Sequence, residues 1–565
     1  MCGIAGVSGY GNPADLVKDM LKGMHYRGPD DYGVMSFENH TLGMCRLRIR
    51  SDVNDTVPFQ ISRSIFAAYN GEIYSIIGND NFILKGGADE VSSLLNIKKN
   101  ETPDGMYSTA VICGDKNYLL RDSHGIKPLF YRHHNYQTAY CSEVKPLLDK
   151  RLGSTTLNAA ALDDFLIFGK SFGDRTILKE INTLLPGHIL ENDSKKIITS
   201  ELASHELNNS NSNPALFRKL INQSVRQCLQ SDRTIALALS GGIDSSILAW
   251  ELNQIGVENI LTFSVKAKDS NDGITHLKQL DLPANGAWST WKHVVIDFDE
   301  TDFKKYLLKS AELNALPIGL TSHPLYFKLA EVANNMGAVV LLTGEGADEI
   351  FAGYESYISW FNNRDTSLPI SSQIMTFYLN KDKEHLWKSI IGETRITEVK
   401  KRFYRFNKKH INELPIKSLL KIERDLSLDP LLYRTDLALM NHSIEGRVPF
   451  LHRGIPELAS QLDECLLFNG VETKPFLRGL YPEYSRITKI NKTPFRIPTS
   501  LLKSKYVLTW LKELIEPKVD FLINHGINPT RILNLFNQSD LNQNELTILY
   551  RIGCIILWHH FHLKN

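Results

Sequence analysis

The sequence predicts two domains of different classes: a first part that mixes strands with a few helices, and a second, α/β part built on a parallel sheet. Up to roughly residue 190, short apolar runs alternate with turn residues, which is typical of layered β-structure. Further on, strand-like apolar runs alternate with amphipathic segments of helical length, which is the pattern of βαβ units.

Six apolar runs predict the strands of the first part: LGMCRLRI, SIFAAYNGEIY, YSTAVIC, NYLLRD, PLFYRHH and TAYCSEV. Helices are expected among them near residues 14 to 25 and 88 to 97. A Ser- and Asn-rich stretch that begins after LPGHIL has little periodicity and predicts a linker. The expected domains are therefore residues 1–200 and 201–565.

Four apolar runs predict the parallel strands of the second part: TIALALS, ILTFSV, HVVIDF and AVVLLTG. From about residue 355 the pattern becomes mostly helical and predicts a helical C-terminal part. The segments GGADEV and GEGADEI look alike, but one short sequence similarity does not indicate an internal duplication.

Composition excludes several classes of protein. The chain has 565 residues, 42% of them hydrophobic, which is enough for two or more globular cores. Its 64 basic and 63 acidic residues give a net charge of +1, so nothing in the overall charge favours nucleic acid or an anionic membrane. Without a membrane-length apolar run or a signal-peptide pattern, a cytoplasmic protein is expected.

One of the seven cysteines has an unusual place. The seven form no CxxC pair, which argues against a disulfide framework or a structural zinc site. Cys2, however, follows the initiator methionine, whose removal would leave a thiol and a free α-amine on the same residue. Such an amine titrates near pH ~8 and can act as the base for its own side chain. Cys2 is therefore a candidate nucleophile, with chance placement as the alternative.

The segment SGGIDSS, residues 240–246, predicts a phosphate site. It follows the run TIALAL and opens a predicted helix, so backbone N–H groups and a helix N-terminus converge there. Gly241 and Gly242 allow close approach, and Asp244 could hold a phosphate-bound metal ion. Hydroxyl donors are supplied by Ser240, Ser245 and Ser246. The loop is not a Walker A motif, and a plain turn with a serine cap is the alternative.

SGGIDSS and MCGIAG together resemble the glutamine-hydrolysing asparagine synthetase family. Further stretches follow in the family's order: HYRGPDDYG, RLRI, NGEIY, RDSHGIKPLFY, SEVK, LLPGH, LLTGEGADEIFAGY and SIEGRVPFL. The resemblance implies an N-terminal nucleophile (Ntn) hydrolase domain, an αββα sandwich, over residues 1–200. It implies an ATP pyrophosphatase domain of α/β fold over residues 201–565.

For the first domain the resemblance implies a glutaminase. Cys2 would attack the side-chain amide of glutamine, while Asn70 and the Gly71 N–H would stabilise the oxyanion. The implied glutamine-binding residues are Arg46, Asn70, Glu72 and Asp89, of which Arg46 would bind the α-carboxylate and Glu72 the α-ammonium. One departure concerns the last of these: the family usually has Asp where this chain has Ala88, and Asp89 comes one place later.

For the second domain the resemblance implies activation of a carboxylate by ATP and Mg²⁺, through an acyl-adenylate that ammonia converts to an amide. The implied ATP-binding residues are Leu239, Ser240, Gly241, Gly242, Asp244, Ser245, Val265, Thr343 and Gly344. Asp348 would share the metal with Asp244, Glu345 would assist adenylation or ammonia attack, and Lys492 would face the phosphates. Capping of the next helix is the alternative for the acidic residues. Glu445 and Arg447 are expected to pair structurally.

The acceptor is less well determined by the sequence. After TFSV the acidic helix usual in the family is not obvious, and His452 stands where aspartate is usual. Aspartate is the favoured acceptor, and another carboxylate, including a secondary-metabolite intermediate, is the alternative. A binding or storage protein with an inert second domain is disfavoured by the intact SGGIDSS and GEGADE. The family suggests a homodimer.

Overall fold

The structure is a computed structural model. It describes residues 2–11, 13–50, 56–77, 87–96, 102–192, 197–201, 213–268, 286–411, 414–482 and 497–563. Lys492 and the stretch after TFSV, two of the sequence-based expectations, lie outside these ranges.

The first domain contains two six-stranded antiparallel sheets. Its strands are β1 (Cys2–Ser8), β2 (Asp31–Phe37), β3 (His40–Arg46), β4 (Phe59–Gln60), β5 (Ile65–Ile77), β6 (Thr102–Cys113), β7 (Lys116–Arg121), β8 (Phe130–His134), β9 (Gln137–Cys141), β10 (Asn182–Thr183), β11 (His188–Asn192) and β12 (Ile197–Glu201). One sheet has the order β10-β8-β9-β1-β3-β2, and the other has the order β12-β11-β7-β6-β5-β4.

The two sheets pack face to face, with β1 and β3 of one against β5 of the other. Their shared core contains buried side chains from both, among them Ile4, Met44, Ala68 and Val111. Helix α1 (Ala14–Lys22) covers β1 and β3, and helix α2 (Ala88–Leu95) packs on β5. The predicted αββα sandwich is confirmed, because each sheet has one face on the core and the other under a helix.

The second domain is built on a five-stranded parallel sheet. Its strands are β13 (Ile235–Ala238), β14 (Leu261–Ala267), β15 (Lys292–Phe298), β16 (Val340–Leu342) and β17 (Glu445–Arg447). Their order is β15-β14-β13-β16-β17, so the central β13 has near-complete burial on both sides. The predicted parallel sheet is confirmed. It also contains a fifth strand, β17, which no apolar run predicted.

Helices cover this sheet and form the C-terminal part. They are α3 (Ala159–Phe168), α4 (Pro214–Cys228), α5 (Ile243–Ile255), α6 (Glu300–Leu313), α7 (His323–Asn335), α8 (Ala347–Ile350), α9 (Glu355–Asn363), α10 (Ile370–Tyr378), α11 (Lys381–Ile391), α12 (Glu393–Asn407), α13 (Pro415–Glu423), α14 (Asp429–Met440), α15 (Ile455–Gln461), α16 (Glu464–Leu467), α17 (Pro475–Gly479), α18 (Thr499–Leu502), α19 (Lys505–Ile515), α20 (Val519–Asn524), α21 (Pro529–Leu535) and α22 (Gln543–His562). None of the helices in the described ranges is long and apolar enough to cross a membrane.

The linker expected after LPGHIL is only partly correct. Residues 197–201 form β12, which pairs with β11 at the edge of its sheet. A strand of only five residues inside a polar segment gives little periodic signal. The boundary near residue 200 stays a prediction. Both helices expected in the first domain are present, and all seven cysteines are free thiols, as the absence of CxxC pairs predicts.

Candidate active sites

Cys2 begins β1 and lies directly opposite Arg46 of β3 in the antiparallel register. Its side chain is only 5% exposed, and this burial raises the pKa of the Cys2 thiol above its usual value. Arg27 Nε donates to the Cys2 carbonyl oxygen at 3.3 Å. The residue therefore sits at a fixed position at the edge of the sandwich core, with a neutral thiol at rest.

Asn70 and Gly71 lie on β5, on the sheet that faces Cys2. Asn70 is fully buried, and its Oδ1 accepts a hydrogen bond from the Cys2 backbone nitrogen at 3.0 Å. Gly71 has φ +144°, and a Cβ there would lie 1.9 Å from the Met106 carbonyl oxygen. Only glycine fits this close approach, so the sequence pair Asn-Gly is fixed by local geometry beside the thiol.

One nitrogen of the Arg46 guanidinium has no hydrogen-bond partner among the described residues. Its Nε and Nη2 donate to Asp31 Oδ2 at 2.9 and 2.8 Å. Its Nη1 is buried and has no hydrogen-bond partner among the described residues. Hydrogen bonds from Arg48 and Arg46 lower the pKa of Asp31 to about 2. A buried guanidinium nitrogen without a partner is costly, which favours an anionic ligand there.

A pocket of about 50 Å³ joins these groups. Its lining includes Cys2, Arg46, Gly71, Glu72 and Glu90. Burial first, and the neighbouring Glu445 second, raise the pKa of Glu72. Of the sequence-predicted glutaminase residues, Cys2, Arg46, Gly71 and Glu72 line this cavity. Asn70 lies beside it, hydrogen-bonded to the Cys2 nitrogen, and one exception remains.

The exception is Asp89. It is exposed on α2, and the part of α2 that lines the pocket is Glu90. Consecutive helical residues point about 100° apart, so the one-place shift of the aspartate turns it away from the cavity. The shifted backbone that would have returned Asp89 to the pocket is not observed.

The SGGIDSS loop connects β13 to α5 and is held by its own hydroxyls. Ser240 N donates to Ser245 Oγ at 3.2 Å, and Gly242 N donates to Ser240 Oγ at 3.4 Å. Gly241 has φ +78°, a backbone conformation that favours glycine. The chain therefore turns sharply into the N-terminus of the 13-residue helix α5, where free N–H groups favour an anion.

Three further predicted residues lie at the carboxyl ends of neighbouring strands. Leu239 N donates to the Phe263 carbonyl at 2.8 Å, which places β13 beside the strand that carries Val265. Thr343 follows β16, and its Oγ1 is buried with no hydrogen-bond partner in the described part of the chain. The strand ends therefore meet at one edge of the sheet, where nucleotides bind in α/β folds.

Gly344 packs against the loop so closely that a Cβ there would lie 2.8 Å from the Cβ of Asp244. This contact brings the segment that follows β16 onto the first turn of α5. Three features form a cradle that fits a phosphate chain. They are the Thr343 hydroxyl without a partner in the described part of the chain, Gly241 in its left-handed conformation, and Gly344, which no larger residue could replace.

Asp244 and Asp348 are joined by a lysine that the sequence reasoning missed. Lys474 Nζ lies 2.6 Å from Asp348 Oδ1 and pairs with Asp244 Oδ1. Its side chain is 1% exposed. Burial opposes the charge, but the two carboxylates prevail and raise the pKa of Lys474. A permanent cation therefore stands beside the cradle.

Glu345 is held on both carboxylate oxygens. Tyr326 Oη donates to its Oε1 and Thr435 Oγ1 to its Oε2, each at 2.7 Å, and Arg434 forms an ion pair with it. The Arg434 guanidinium also lies 4.0 Å from the centre of the Tyr326 ring. Glu345 is therefore a firmly oriented group beside the cradle.

The described residues contain no group of three or more His, Cys, Asp or Glu side chains that could hold a metal ion. Two carboxylates at the cradle, Asp244 and Asp348, are the available oxygen ligands. Magnesium usually binds through one or two carboxylates and completes its shell with phosphates and water, so the pair fits Mg²⁺ bound together with a nucleotide.

Five residues at the two sites were not found by sequence reasoning: Arg50, Glu90, Tyr326, Arg434 and Lys474. Each lies outside the motifs and reaches its site through tertiary packing. For Glu90 the sequence did contain a signal, because Glu90 directly follows Asp89 in the segment where the aspartate is shifted by one place. The expected structural pair is confirmed, with Arg447 Nε 2.5 Å from Glu445 Oε1.

The fold and the two sites together define a class of ligase with two reaction centres. In this class a glutamine amidotransferase domain, here the sandwich with its buried Cys2, is joined to a nucleotide-binding domain, here the parallel sheet with its Ser-Gly loop. A glutamine amidotransferase domain model matches residues 1–78 and 98–202. The asparagine synthase model matches residues 216–559. Because that match spans more than half of the chain, the protein belongs to the asparagine synthase family.

Relatives support the same family. Glutamine-hydrolyzing asparagine synthetase 2 of Bacillus subtilis (strain 168) is 28% identical, with 87% of this chain and 71% of that protein aligned. Glutamine-hydrolyzing asparagine synthetase 1 of the same organism is 23% identical, with 100% and 97% aligned. Among solved structures, the glutamine phosphoribosylpyrophosphate amidotransferase from B. subtilis is 13% identical over 52% of this chain and 81% of that one, with a TM-score of 0.25, too low to carry an inference.

Proposed function

We propose that the protein synthesises an amide from a carboxylic acid, with ATP as the source of energy and glutamine as the source of ammonia. The favoured acceptor is L-aspartate, which would give L-asparagine. The observation that carries the proposal is that one chain contains both a cysteine pocket and a Ser-Gly phosphate cradle. The pocket holds Cys2 and the Arg46 Nη1 nitrogen, which has no partner among the described residues. Neither site alone would complete the reaction.

In the first step, the thiol of Cys2 adds to the side-chain carbonyl carbon of glutamine. The α-amine of Cys2, exposed when Met1 is removed, takes the thiol proton and passes it to the leaving nitrogen. Asn70 Oδ1 holds the Cys2 nitrogen at 3.0 Å, which fixes the position of that base. The C–N bond breaks, ammonia leaves, and water hydrolyses the γ-glutamyl thioester to glutamate.

The same pocket stabilises charge and orients the donor. The Asn70 side-chain amide and the Gly71 N–H are the proposed oxyanion donors, each worth roughly 3 kcal/mol of barrier by comparison with similar groups. Arg46 Nη1 is the proposed ligand of the glutamine α-carboxylate, because it is buried and has no partner among the described residues.

In the second step, ATP would supply the adenylyl group that turns the acceptor carboxylate into a good leaving group, with release of pyrophosphate. The SGGIDSS backbone and hydroxyls bind the phosphates, and Leu239, Val265, Thr343 and Gly344 line the nucleotide. Asp244 and Asp348 would hold Mg²⁺, which would offset phosphate charge. Lys474 adds a fixed positive charge at the same place.

Glu345 is proposed to face the reacting carboxyl group or the entering ammonia. Its ion pair with Arg434 and its hydrogen bonds from Tyr326 and Thr435 keep it oriented. The role of Lys492 near the phosphates stays a prediction, as do the homodimer and the cytoplasmic location.

The test is an incubation with glutamine, ATP, Mg²⁺ and a panel of carboxylic acids, in which pyrophosphate and amide products are both measured. Aspartate-dependent pyrophosphate release with formation of asparagine is the expected result. Release with another acid only would move the protein to the alternative acceptor class, which His452 in place of the usual aspartate also raised. No release with any acid would exclude ligase activity towards that panel and refute the proposal.

A further inference from the structure

The end of α2 that faces the glutamine pocket carries a different carboxylate from the one expected. Helix α2 begins at Ala88, directly after Gly87, whose φ is +57°. Within its first turn, Asp89 is exposed while Glu90 is 1% exposed and lines the pocket with Cys2. Because the two side chains leave the helix about 100° apart, only one of them can serve the pocket.

Glu90 is held in the cavity wall by two contacts. Its Oε2 accepts a hydrogen bond from the Ile73 backbone N–H at 3.3 Å, which ties α2 to β5. Its Oε1 lies 3.4 Å from Arg50 Nη1. The carboxylate is therefore anchored on one oxygen and directed towards a cation with the other.

The second carboxylate of the pocket faces the same cation. Arg50 Nη1 lies 3.7 Å from Glu72 Oε2, and both residues line the cavity with Cys2. Glu72 Oε1 also lies 3.8 Å from Arg447 Nη2, and Arg447 in turn pairs with Glu445. Three carboxylates therefore face two guanidinium groups, so a further positive group beside them would be stabilised. This part of the pocket has the chemistry of a subsite for an ammonium group.

The opposite charge is provided on the side of β3. Arg46, across from Cys2 in the strand register, leaves its Nη1 buried and without a partner among the described residues. An α-amino acid carries a carboxylate and an ammonium on the same carbon. A pocket with an anion subsite and a cation subsite beside one nucleophile therefore matches the head of such a molecule.

From this arrangement we propose that Glu90, together with Glu72, binds the α-ammonium of the donor amino acid, in place of the carboxylate that this chain lacks at position 88. Arg50 offsets part of the charge of the two carboxylates, and the bound ammonium offsets the rest. The inference rests on the proposed glutaminase function and adds the residue that selects an α-amino acid as the donor.

The experiment compares two donors in the full-length enzyme: glutamine and glutaramate, which is glutamine without its α-amino group. The wild-type enzyme is expected to prefer glutamine by at least about tenfold in kcat/KM, as the loss of a charge-assisted hydrogen bond predicts. At about pH 8.5, where the Glu90 carboxylate is mostly charged, Glu90→Gln is expected to raise the KM for glutamine about 10- to 100-fold with little change in kcat, and to leave glutaramate unaffected.

Asp89→Asn is the matched control, since it removes a neighbouring carboxylate that lies outside the cavity, and its KM for glutamine is expected to stay within about twofold of the wild type. Synthesis of the amide from ammonium salts tests the fold of each variant. Equal losses with both donors in Glu90→Gln, or a loss confined to Asp89→Asn, would overturn the inference.

Two outcomes do not depend on how well Glu90→Gln folds. A wild-type enzyme that hydrolyses glutamine and glutaramate equally well would overturn the inference without any variant, since no residue would then recognise the α-ammonium. A wild-type enzyme that hydrolyses neither would refute the proposed glutaminase function itself. The two failures are therefore distinguishable.

Discussion

The nucleotide cradle and the glutamine pocket are built in different ways. The cradle takes most of its groups from one loop, SGGIDSS, and from Thr343 and Gly344 at the end of the next strand. The pocket combines side chains from β1, β3, β5 and α2, and five of its thirteen lining residues are charged. A phosphate site made from backbone N–H groups is largely local, whereas a site for an amino acid needs opposite charges placed by separate elements.

The difference extends to how each site balances its charges. In the cradle one cation, Lys474, lies between two carboxylates. In the pocket Arg46 pairs with Asp31, and Arg50 lies near both Glu72 and Glu90. The pocket therefore holds its own counter-ions, and a donor must compete with them. This contrast predicts that substitutions in the pocket change donor use alone, while substitutions in the cradle change amide synthesis from any nitrogen source.

The largest expected effect separates the two sites completely. Cys2→Ala removes the nucleophile and should lower glutamine-dependent synthesis by at least about 1,000-fold, because no covalent route to ammonia remains. Synthesis from ammonium salts should persist near the wild-type rate. Both rates are measured by amide formation in the same preparation. Retained glutamine use in this variant would disprove the assignment of Cys2.

The converse experiment concerns Lys474→Met, which keeps the side-chain volume but removes the charge. Two partly buried carboxylates lose the ammonium group that pairs with them, and the phosphates lose a cation, so synthesis from glutamine and from ammonium should both fall about 100-fold or more. Hydrolysis of glutamine to glutamate should continue and reports on the fold.

Lys503→Met is the control for the lysine substitution, since Lys503 pairs with the exposed Asp540. It should leave both activities unchanged. Normal pyrophosphate release by Lys474→Met would show that the cation between Asp244 and Asp348 has no role in the cradle.

A smaller effect is expected within the pocket from Asn70→Ala. The variant loses one oxyanion donor and the hydrogen bond that holds the Cys2 nitrogen, so kcat for glutamine hydrolysis should fall about 100-fold. The KM should change little, because the donor's head is bound elsewhere. A change confined to KM would instead assign Asn70 to donor binding.

The smallest expected effect is a pH dependence of donor preference. Burial first, and Glu72 second, raise the pKa of Glu90 to about 8. Below that pH Glu90 is mostly neutral and attracts an ammonium weakly, and above it the carboxylate is charged. The ratio of kcat/KM for glutamine to that for glutaramate should therefore rise a few-fold from about pH 7 to about pH 8.5.

The ratio cancels the titration of Cys2, which affects both donors alike. In Glu90→Gln the rise should be smaller across the same range, because Glu72, whose pKa burial also raises, is the remaining carboxylate. A wild-type ratio that falls as the pH rises would contradict the placement of Glu90 beside the ammonium.

Much of the fold could be predicted because alternating apolar runs and turn residues are local signals. The strands around Asn70, Ser240 and Thr343 were expected where the structure has them. β17 was missed since EGR has no apolar pattern: its arginine and glutamate are buried as a pair. β12 was missed because its five residues, IITSE, are too few to show a strand pattern within a segment that resembles a linker.

The sequence by itself determined the order of the two domains and indicated Cys2 and SGGIDSS as the candidate nucleophile and phosphate loop, because each signal lies in a short stretch whose chemistry depends on neighbours in the chain. Tertiary structure alone decided which distant charges complete the sites. Lys474 pairs with Asp244, which is 230 residues away in the chain, and the orientation of α2 buries Glu90 in the pocket while Asp89 stays exposed. Such choices follow from side-chain direction and burial, which depend on the packing of whole elements.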